Sequence, residues 1–531
     1  MMSPVRTPVV SLLVLLSLWT LSHVAPCSCA RFLAMPGIGK SVTLVFHNLA
    51  KELHKRGHQV YVIVGSNFPI PDSTKDGSVN YLTFKTDKEY ILGSEEFQRN
   101  DVKDMIQSDG DMVTNFRLVR TASEFFTSQC AEMLEDQELF AKLSSLKFDV
   151  AVIGAYPFLA NCQILPYKLD LPVISITSFT SLLGQAGLPL LPSVIPSLFT
   201  TFTEHMDFME RVQNFVITLV SNFIFTPSIP AELVHRHVPH KPFKTFNEFL
   251  RDSILWLVIS VNPALEPIPT LPNVILLGGM GVKQPAALPD HLEAFVQKFK
   301  SQGVLVVSFG SVVKYLPTEI SKRFLGVFSK LKYGVVWRYS GEDLGEIPPN
   351  IKLMSWLPQS DLLAHESVKV FLSHCGNAGS YEALFNGVPV LAMPIAGDQP
   401  HNAERLVKRG LAIKMSVATF SPGELLENIN ILASNSTYQS NTKRYARILR
   451  DYPMSLVDQA VYWIEHVVRF GGSHLQSPGA QLPWYIFYSL DVIGFLLSVV
   501  VLGVYCIKIL CRACRRKCDQ NPATGGDKKK Q

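Results

Sequence analysis

The segment Phe371-Leu-Ser-His-Cys-Gly-Asn-Ala-Gly-Ser380-Tyr-Glu-Ala-Leu-Phe-Asn-Gly-Val-Pro-Val390-Leu-Ala-Met-Pro-Ile-Ala-Gly-Asp-Gln-Pro400-His-Asn402 decides the fold. Val368 to Ser373 reads as a buried strand. His374 and a run of small residues follow, then a helix from Ser380 to Asn386 and a second strand, Val388 to Met393. A Gly-rich turn from a strand into a helix lets backbone N–H groups approach a phosphate, and the helix N-terminus favours its charge. Gly376, Asn377 and Gly379 form that turn, and His374 adds a donor. Glu382, inside the helix, can accept from ribose hydroxyls. Asp398 and Gln399 follow the second strand, and a carboxylate beside an amide suits the hydroxyls of a sugar.

Outward from this segment the pattern repeats. Upstream lie a strand at Val304 to Phe309, a helix at Pro317 to Leu331 and a strand at Val335 to Tyr339. Near the N-terminus, Arg31 to Met35, a Gly-rich loop at Pro36 to Ser41, a helical stretch at Val42 to Lys55 and Val60 to Val64 read as a β-loop-α-β unit. Phe148 to Ile153 and Pro172 to Ile176 read as further buried strands. Strands alternating with helices imply parallel sheets. The expected class is α/β, with two doubly wound domains and a ligand cleft at their strand C-termini. A Pro-rich stretch, Pro263 to Pro272, reads as the linker. The expected divisions are 31–262, a linker over 263–285, and 286–470. The Leu-, Pro- and Phe-rich region 181–225 reads equally well as an apolar wall, a membrane-facing flap or ordinary core.

The ends carry different information. Arg6, the apolar run Val9 to Leu21 and the small residues Ser28 and Ala30 read as a signal peptide over 1–30. After a membrane-proximal segment, 471–488, the apolar stretch 489–509 is long enough to span a bilayer. Arg512, Arg515, Arg516 and Lys517 place the tail, 510–531, in the cytosol by the positive-inside rule. Lys528 and Lys529 match a dilysine retrieval signal. The expectation is a single-pass type I protein of the endoplasmic reticulum membrane with a lumenal body. Of the net charge of +5, residues 508–531 supply +6 and residues 1–30 supply +1, so the body carries −2. That balance has no basic footprint for nucleic acid. Only Cys130, Cys162 and Cys375 fall in the lumenal body, which allows one bridge at most. Asn435-Ser436-Thr437 is a glycosylation sequon.

The 371–402 segment resembles the signature of the UDP-glycosyltransferase family, particularly the animal membrane-bound glucuronosyltransferases. The resemblance covers about 31–507. It implies the GT-B arrangement of two domains and inverting transfer of a sugar from a UDP-sugar to a small lipophilic acceptor. Glucuronate is the default sugar, with glucose or galactose possible. The UDP-sugar is a co-substrate; no further cofactor and no metal are expected. Val307-Ser308-Phe309-Gly310-Ser311 is similar to the family's turn near the phosphates. Trp337-Arg338 and Trp356-Leu357-Pro358-Gln359 are similar to its uracil site, which implies that Trp356 stacks on the base beside Gln359. Val313-Lys314-Tyr315-Leu316 and Arg338-Tyr339-Ser340-Gly341 are also similar to the ceramide galactosyltransferase branch. Expected partners are the UDP-sugar, the acceptor, the bilayer and related transferases in homo- or hetero-oligomers.

The pattern breaks at the acceptor side. The family's catalytic His position falls on Val42 and its supporting Asp on Gly154. His47 and Asp149 lie too far along their elements to replace them. Asn377 can supply a donor that Ala378 lacks, and Cys375 stands where the family has Gly. Ile268, between Pro267 and Pro269, stands where many glucuronosyltransferases carry Arg, which weakens the case for a carboxylate-bearing sugar. A catalytically impaired partner of an active transferase is therefore the alternative function. Ala34-Met35-Pro36-Gly37-Ile38-Gly39-Lys40-Ser41 approximates a Walker A loop, but no Mg²⁺-binding Asp closes the 148–154 strand. The loop is expected only to shape a turn.

Overall fold

The computed structural model describes residues 29–37, 40–68, 70, 77–86, 94–108, 112–224, 226–313 and 316–520. Residues 1–28 of the expected signal peptide, the retrieval lysines, Ile38, Gly39, Lys314 and Tyr315 lie outside the described residues.

Residues up to Ser477 form one compact unit built on two parallel sheets. The first has β1 (Arg31–Met35), β2 (Gln59–Gly65), β3 (Asn80–Phe84), β4 (Val150–Gly154), β5 (Val173–Thr177), β6 (Ser253–Val258) and β7 (Val274–Leu276). Their order is β3-β2-β1-β4-β5-β6-β7. The second has β8 (Val304–Ser308), β9 (Gly334–Arg338), β10 (Ile351–Met354), β11 (Val368–Ser373), β12 (Val390–Ala392) and β13 (Ala412–Lys414), in the order β10-β9-β8-β11-β12-β13. Every pairing is parallel. Helices cover both faces, so the central strands are predominantly apolar, and β4, β5 and β8 are buried at every position.

Winding reverses between β1 and β4 in one sheet and between β8 and β11 in the other. The loops leaving those strands cannot pack over each other, and a crevice opens at each point. The two-domain α/β expectation stands. Gly57 ends the Lys40–Lys55 helix at φ +90°, where a side chain would be strained.

Three boundaries move. The expected linker contains β7, whose Val274 pairs with Trp256, so the first sheet extends past 262. The Pro-rich stretch is packed: Asn262 donates to the Gly278 carbonyl at 2.9 Å, and Leu265 is buried in the core under the second sheet. The Leu456–Phe470 helix, expected in the second domain, returns to the first sheet. Ala460, Val461 and Ile464 are buried with Phe32, Phe46 and Leu257. Arg56 binds Asp458 at 2.7 Å and His58 meets Glu465 at 3.2 Å across that contact.

The halves are also tied by charge. Arg405 binds Glu266 at 2.8 Å, both about nine-tenths buried, and Arg409 binds Glu204 at 2.6 Å. The guanidiniums of Arg405, Arg409 and the imidazole of His401 outweigh burial and hold the Glu266 carboxyl at about 2.

Residues from Pro478 form a separate unit. It holds a short helix, Trp484–Phe487, and a long one, Leu490–Gln520, which runs on into the expected tail. An 18-residue stretch within Leu490–Lys517 has a mean hydropathy of 2.5 and none of it is buried.

Breaking a buried ion pair strands the other charge and costs about 3–5 kcal/mol. Arg405→Met in the full chain is expected to lower the thermal-inactivation midpoint clearly, with Arg120→Met, at an exposed pair, as an unchanged control.

Candidate active site

The expected donor residues gather at the second sheet's switch point. β8 delivers Ser308, Gly310 and Ser311, and β11 delivers His374, Gly376, Asn377 and Gly379. The helix begins at Asn377, three residues before the expected Ser380. Gly376 sits in extended backbone at the N-cap and no side chain caps the first turn, so its N–H groups are left facing the crevice. Gly310 turns at φ +80°, its N–H donating to Ser308 Oγ at 3.4 Å. A Cβ at Gly310 or Gly376 would come within 2.4 and 2.5 Å of His374 Nε2, so both glycines make room for the imidazole. Desolvation pushes the His374 pKa down to about 4, and its Nδ1 is buried without a partner among the described residues. Burial thus keeps the ring neutral.

Cys375 adopts φ +61°, the left-handed region, which explains why the family pattern has Gly there. The Asn377 amide donates to the Ile259 carbonyl at 3.0 Å, so it ties the two halves together and does not replace the donor missing at Ala378. Ala378 is exposed on the first turn.

Trp356 is 57% exposed, with the Arg338 guanidinium 5.2 Å from its ring centre. Arg338 also donates to the carbonyls of Gly310 and Ser355, which fixes the platform. Trp337, by contrast, is buried in the core. Gln359 donates to Glu382, while desolvation pushes the Glu382 carboxyl up to about 7. A flat aromatic face, a carboxylate braced by an amide and an uncapped helix end lie along one crevice. These are the groups expected to meet a base, a ribose and a pyrophosphate.

At the far end, Asp398 accepts from Asn402 Nδ2 at 2.7 Å, and its pKa is raised by burial. Gln399 Oε1 is spent on the N–H groups of Ile395 and Ala396, so only its NH₂ end is left to face a sugar. Asp398 shares a cavity of about 540 Å³ with Ser178, Ser260, Ile268 and Arg405, drawn from both halves.

The first sheet's switch point opens on a cavity of about 710 Å³ lined by Met35, Gly154, Phe126, Met133, Asn67 and Gln163, among others. No acid, base or imidazole lines it among the described residues. The amide O and N of Asn67 are buried there without partners among the described residues. Cys130 and Cys162, bridged as a disulfide, close one wall.

Apolar side chains surround the positions of the missing pair. Val42 packs against an apolar cluster of Phe126, Tyr156, Phe158, Phe179 and Leu159. The Tyr156 and Phe158 rings stack at 5.5 Å, and Phe179 meets Tyr156 edge-on at 5.8 Å. A Cβ at Gly154 would lie 2.8 Å from the Pro36 carbonyl and 3.1 Å from the Tyr156 ring. The candidate replacements are occupied elsewhere. His47 Nδ1 meets Tyr81 Oη at 3.0 Å, and Asp149 accepts from Arg31 N–H at 2.7 Å, at the opposite end of the sheet. Tyr156 was not legible as a site residue; an aromatic two places after the strand's last Gly was its only sign. Asn435 is exposed and caps the Ser436–Arg450 helix through its side-chain oxygen.

Residues 31–523 match the family model for UDP-glucoronosyl and UDP-glucosyl transferases. UDP-glucuronosyltransferase 2B1 of Rattus norvegicus is 31% identical over 98% of this chain and 99% of its own. UDP-glucuronosyltransferase 1-2 of Mus musculus is 31% identical over 92% of each. A UDP-glucosyltransferase from Polygonum tinctorium superimposes with a TM-score of 0.57 at 17% identity, over 83% of this chain and 99% of that one. The chain belongs to the UDP-glycosyltransferase family and has its GT-B fold.

Losing a base-stacking ring costs about 1–3 kcal/mol. Trp356→Ala is expected to weaken UDP binding roughly 5- to 150-fold, read by calorimetry on detergent-solubilised protein. Glu382, the expected acceptor for ribose hydroxyls, carries a proton below about 7. UDP affinity is thus expected to be flat above that pH and to fall below it, by up to about tenfold per unit. Glu382→Gln should remove the slope.

Proposed function

We propose that the protein transfers a sugar, with inversion, from a UDP-sugar to a small, neutral, lipophilic acceptor. The donor is held by Ser308, Gly310, Ser311, Arg338, Trp356, Gln359, His374, Gly376, Asn377, Gly379, Glu382, Asp398 and Gln399, with Asn377 acting through the backbone. One observation carries the reading. Asp398, at the sugar end, lines a cavity with Ser178, whose Oγ is 3.5 Å from Tyr156 Oη, two residues beyond Gly154 at the acceptor cavity. A lining without ionisable groups suits an uncharged acceptor, and the unpartnered Asn67 amide supplies a donor and an acceptor for its polar end. No metal is required, because the helix end and the His374 ring offer donors to the pyrophosphate.

Chemistry here lacks the usual base. General base catalysis contributes about 10²–10⁴-fold, so positioning and charge stabilisation must supply the rate. Uncharged acceptors that need little deprotonation, such as aromatic amines, fit best. Ile268 lines the cavity beside Asp398 and brings no guanidinium for a sugar carboxylate. That sets glucose and galactose beside glucuronate as donors. The filled base site favours one second reading, a partner subunit that binds UDP without turnover. The exposed apolar helix, the basic residues after it and the disulfide support a body held in an oxidising lumen, with the chain crossing the endoplasmic reticulum membrane once.

UDP release by membranes expressing the chain, offered UDP-glucuronate, UDP-glucose and UDP-galactose with amines, phenols, alcohols and sphingoid lipids, tests both readings. Acceptor-dependent release that is lost in a Trp356→Ala, His374→Ala variant is expected, strongest with amines. UDP binding with no release for any acceptor supports the partner instead.

A further inference from the structure

The cysteines beyond the apolar helix play no part in the transfer reading. The Leu490–Gln520 helix is continuous. At 1.5 Å per residue, Leu490 to Leu510 measures roughly 31 Å, against a hydrocarbon layer of about 30 Å. The first residue past that length is Cys511. Cys514 lies about 4.5 Å further along and about 60° round the helix from it, so both thiols lie on one face. Arg512, Arg515, Arg516 and Lys517 occupy the same turns and suit anionic headgroups. Cys511 and Cys514 are unpaired and exposed. No group of three His, Cys, Asp or Glu that could hold a metal occurs among the described residues. Cys506 is also free, but it lies within the hydrocarbon length, about 140° round from Cys511.

We propose that Cys511 and Cys514 carry thioester-linked long-chain fatty acyl groups. The inference rests on the reading that this helix spans the bilayer with its basic end in the cytosol. A thiol at the rim of the hydrocarbon layer meets long-chain acyl-coenzyme A, which partitions into the same leaflet. The cysteine sulfur attacks the thioester carbonyl and the bond to coenzyme A breaks. Coenzyme A leaves as a thiol, taking the cysteine proton, and no oxidant or reductant is used. The new chain turns back into the leaflet from the residue where the helix leaves it. A single span already anchors the protein, so acylation would fix the depth and tilt of the helix through two further apolar attachments.

The test labels cells expressing the full chain with an alkyne-tagged sixteen-carbon fatty acid, followed by capture, fluorophore coupling and hydroxylamine. Label removed by hydroxylamine is expected on the wild-type chain and on Cys506→Ser, and its loss is expected on Cys511→Ser, Cys514→Ser. Label that persists in that double variant overturns the assignment. Protease treatment of sealed microsomes separates the premises. An unlabelled chain with a protease-accessible C-terminus overturns acylation alone. A protected C-terminus overturns the topology, and acylation with it.

Discussion

Everything functional in this molecule hangs on two strand pairings, β8 with β11 and β1 with β4. Each joins the strands at which a parallel sheet reverses its winding, and each therefore leaves a crevice that no crossover can fill. In the second sheet the crevice is furnished for a nucleotide: two glycines yielding to one imidazole, an uncapped helix, an exposed indole and a braced carboxylate. In the first it is lined by apolar side chains, a disulfide and uncharged amides. The buried Arg405–Glu266 pair and the Asn377 amide fix the distance between them.

The two crevices have diverged differently. On the nucleotide side Cys375 keeps a left-handed backbone that glycine would adopt without strain, while the donor that Ala378 lacks is not replaced. On the acceptor side the chemistry is replaced by packing. Val42, Tyr156, Phe158 and Phe179 close over the place where an imidazole and a carboxylate would need room and hydrogen-bond partners. None of those four side chains is an imidazole or a carboxylate.

Strands were legible because parallel strands covered on both faces are unbroken apolar runs, as at Val304–Ser308 and Val150–Gly154. The turn into the Asn377–Asn386 helix was legible because a Gly-rich stretch between an apolar run and a helical one marks a strand-to-helix junction. What escaped the sequence depends on partners far along the chain. Nothing local in Pro263–Pro272 reveals that Asn262 and Glu266 anchor it between the halves. Nothing in Leu456–Phe470 reveals which sheet its apolar stripe covers. The Asn377 side chain looked like a phosphate donor until Ile259 took it.

That returning helix sets a timetable for synthesis. The first sheet is complete at Leu276, yet Ala460, Val461 and Ile464, which cover its face beside Phe32 and Leu257, come some way further along. At ribosomal rates of about 5–20 residues per second, that face stays bare for roughly 10–40 s while the second sheet is made. The first half is thus the last to be finished, and its open face is the surface a folding chaperone would have to guard.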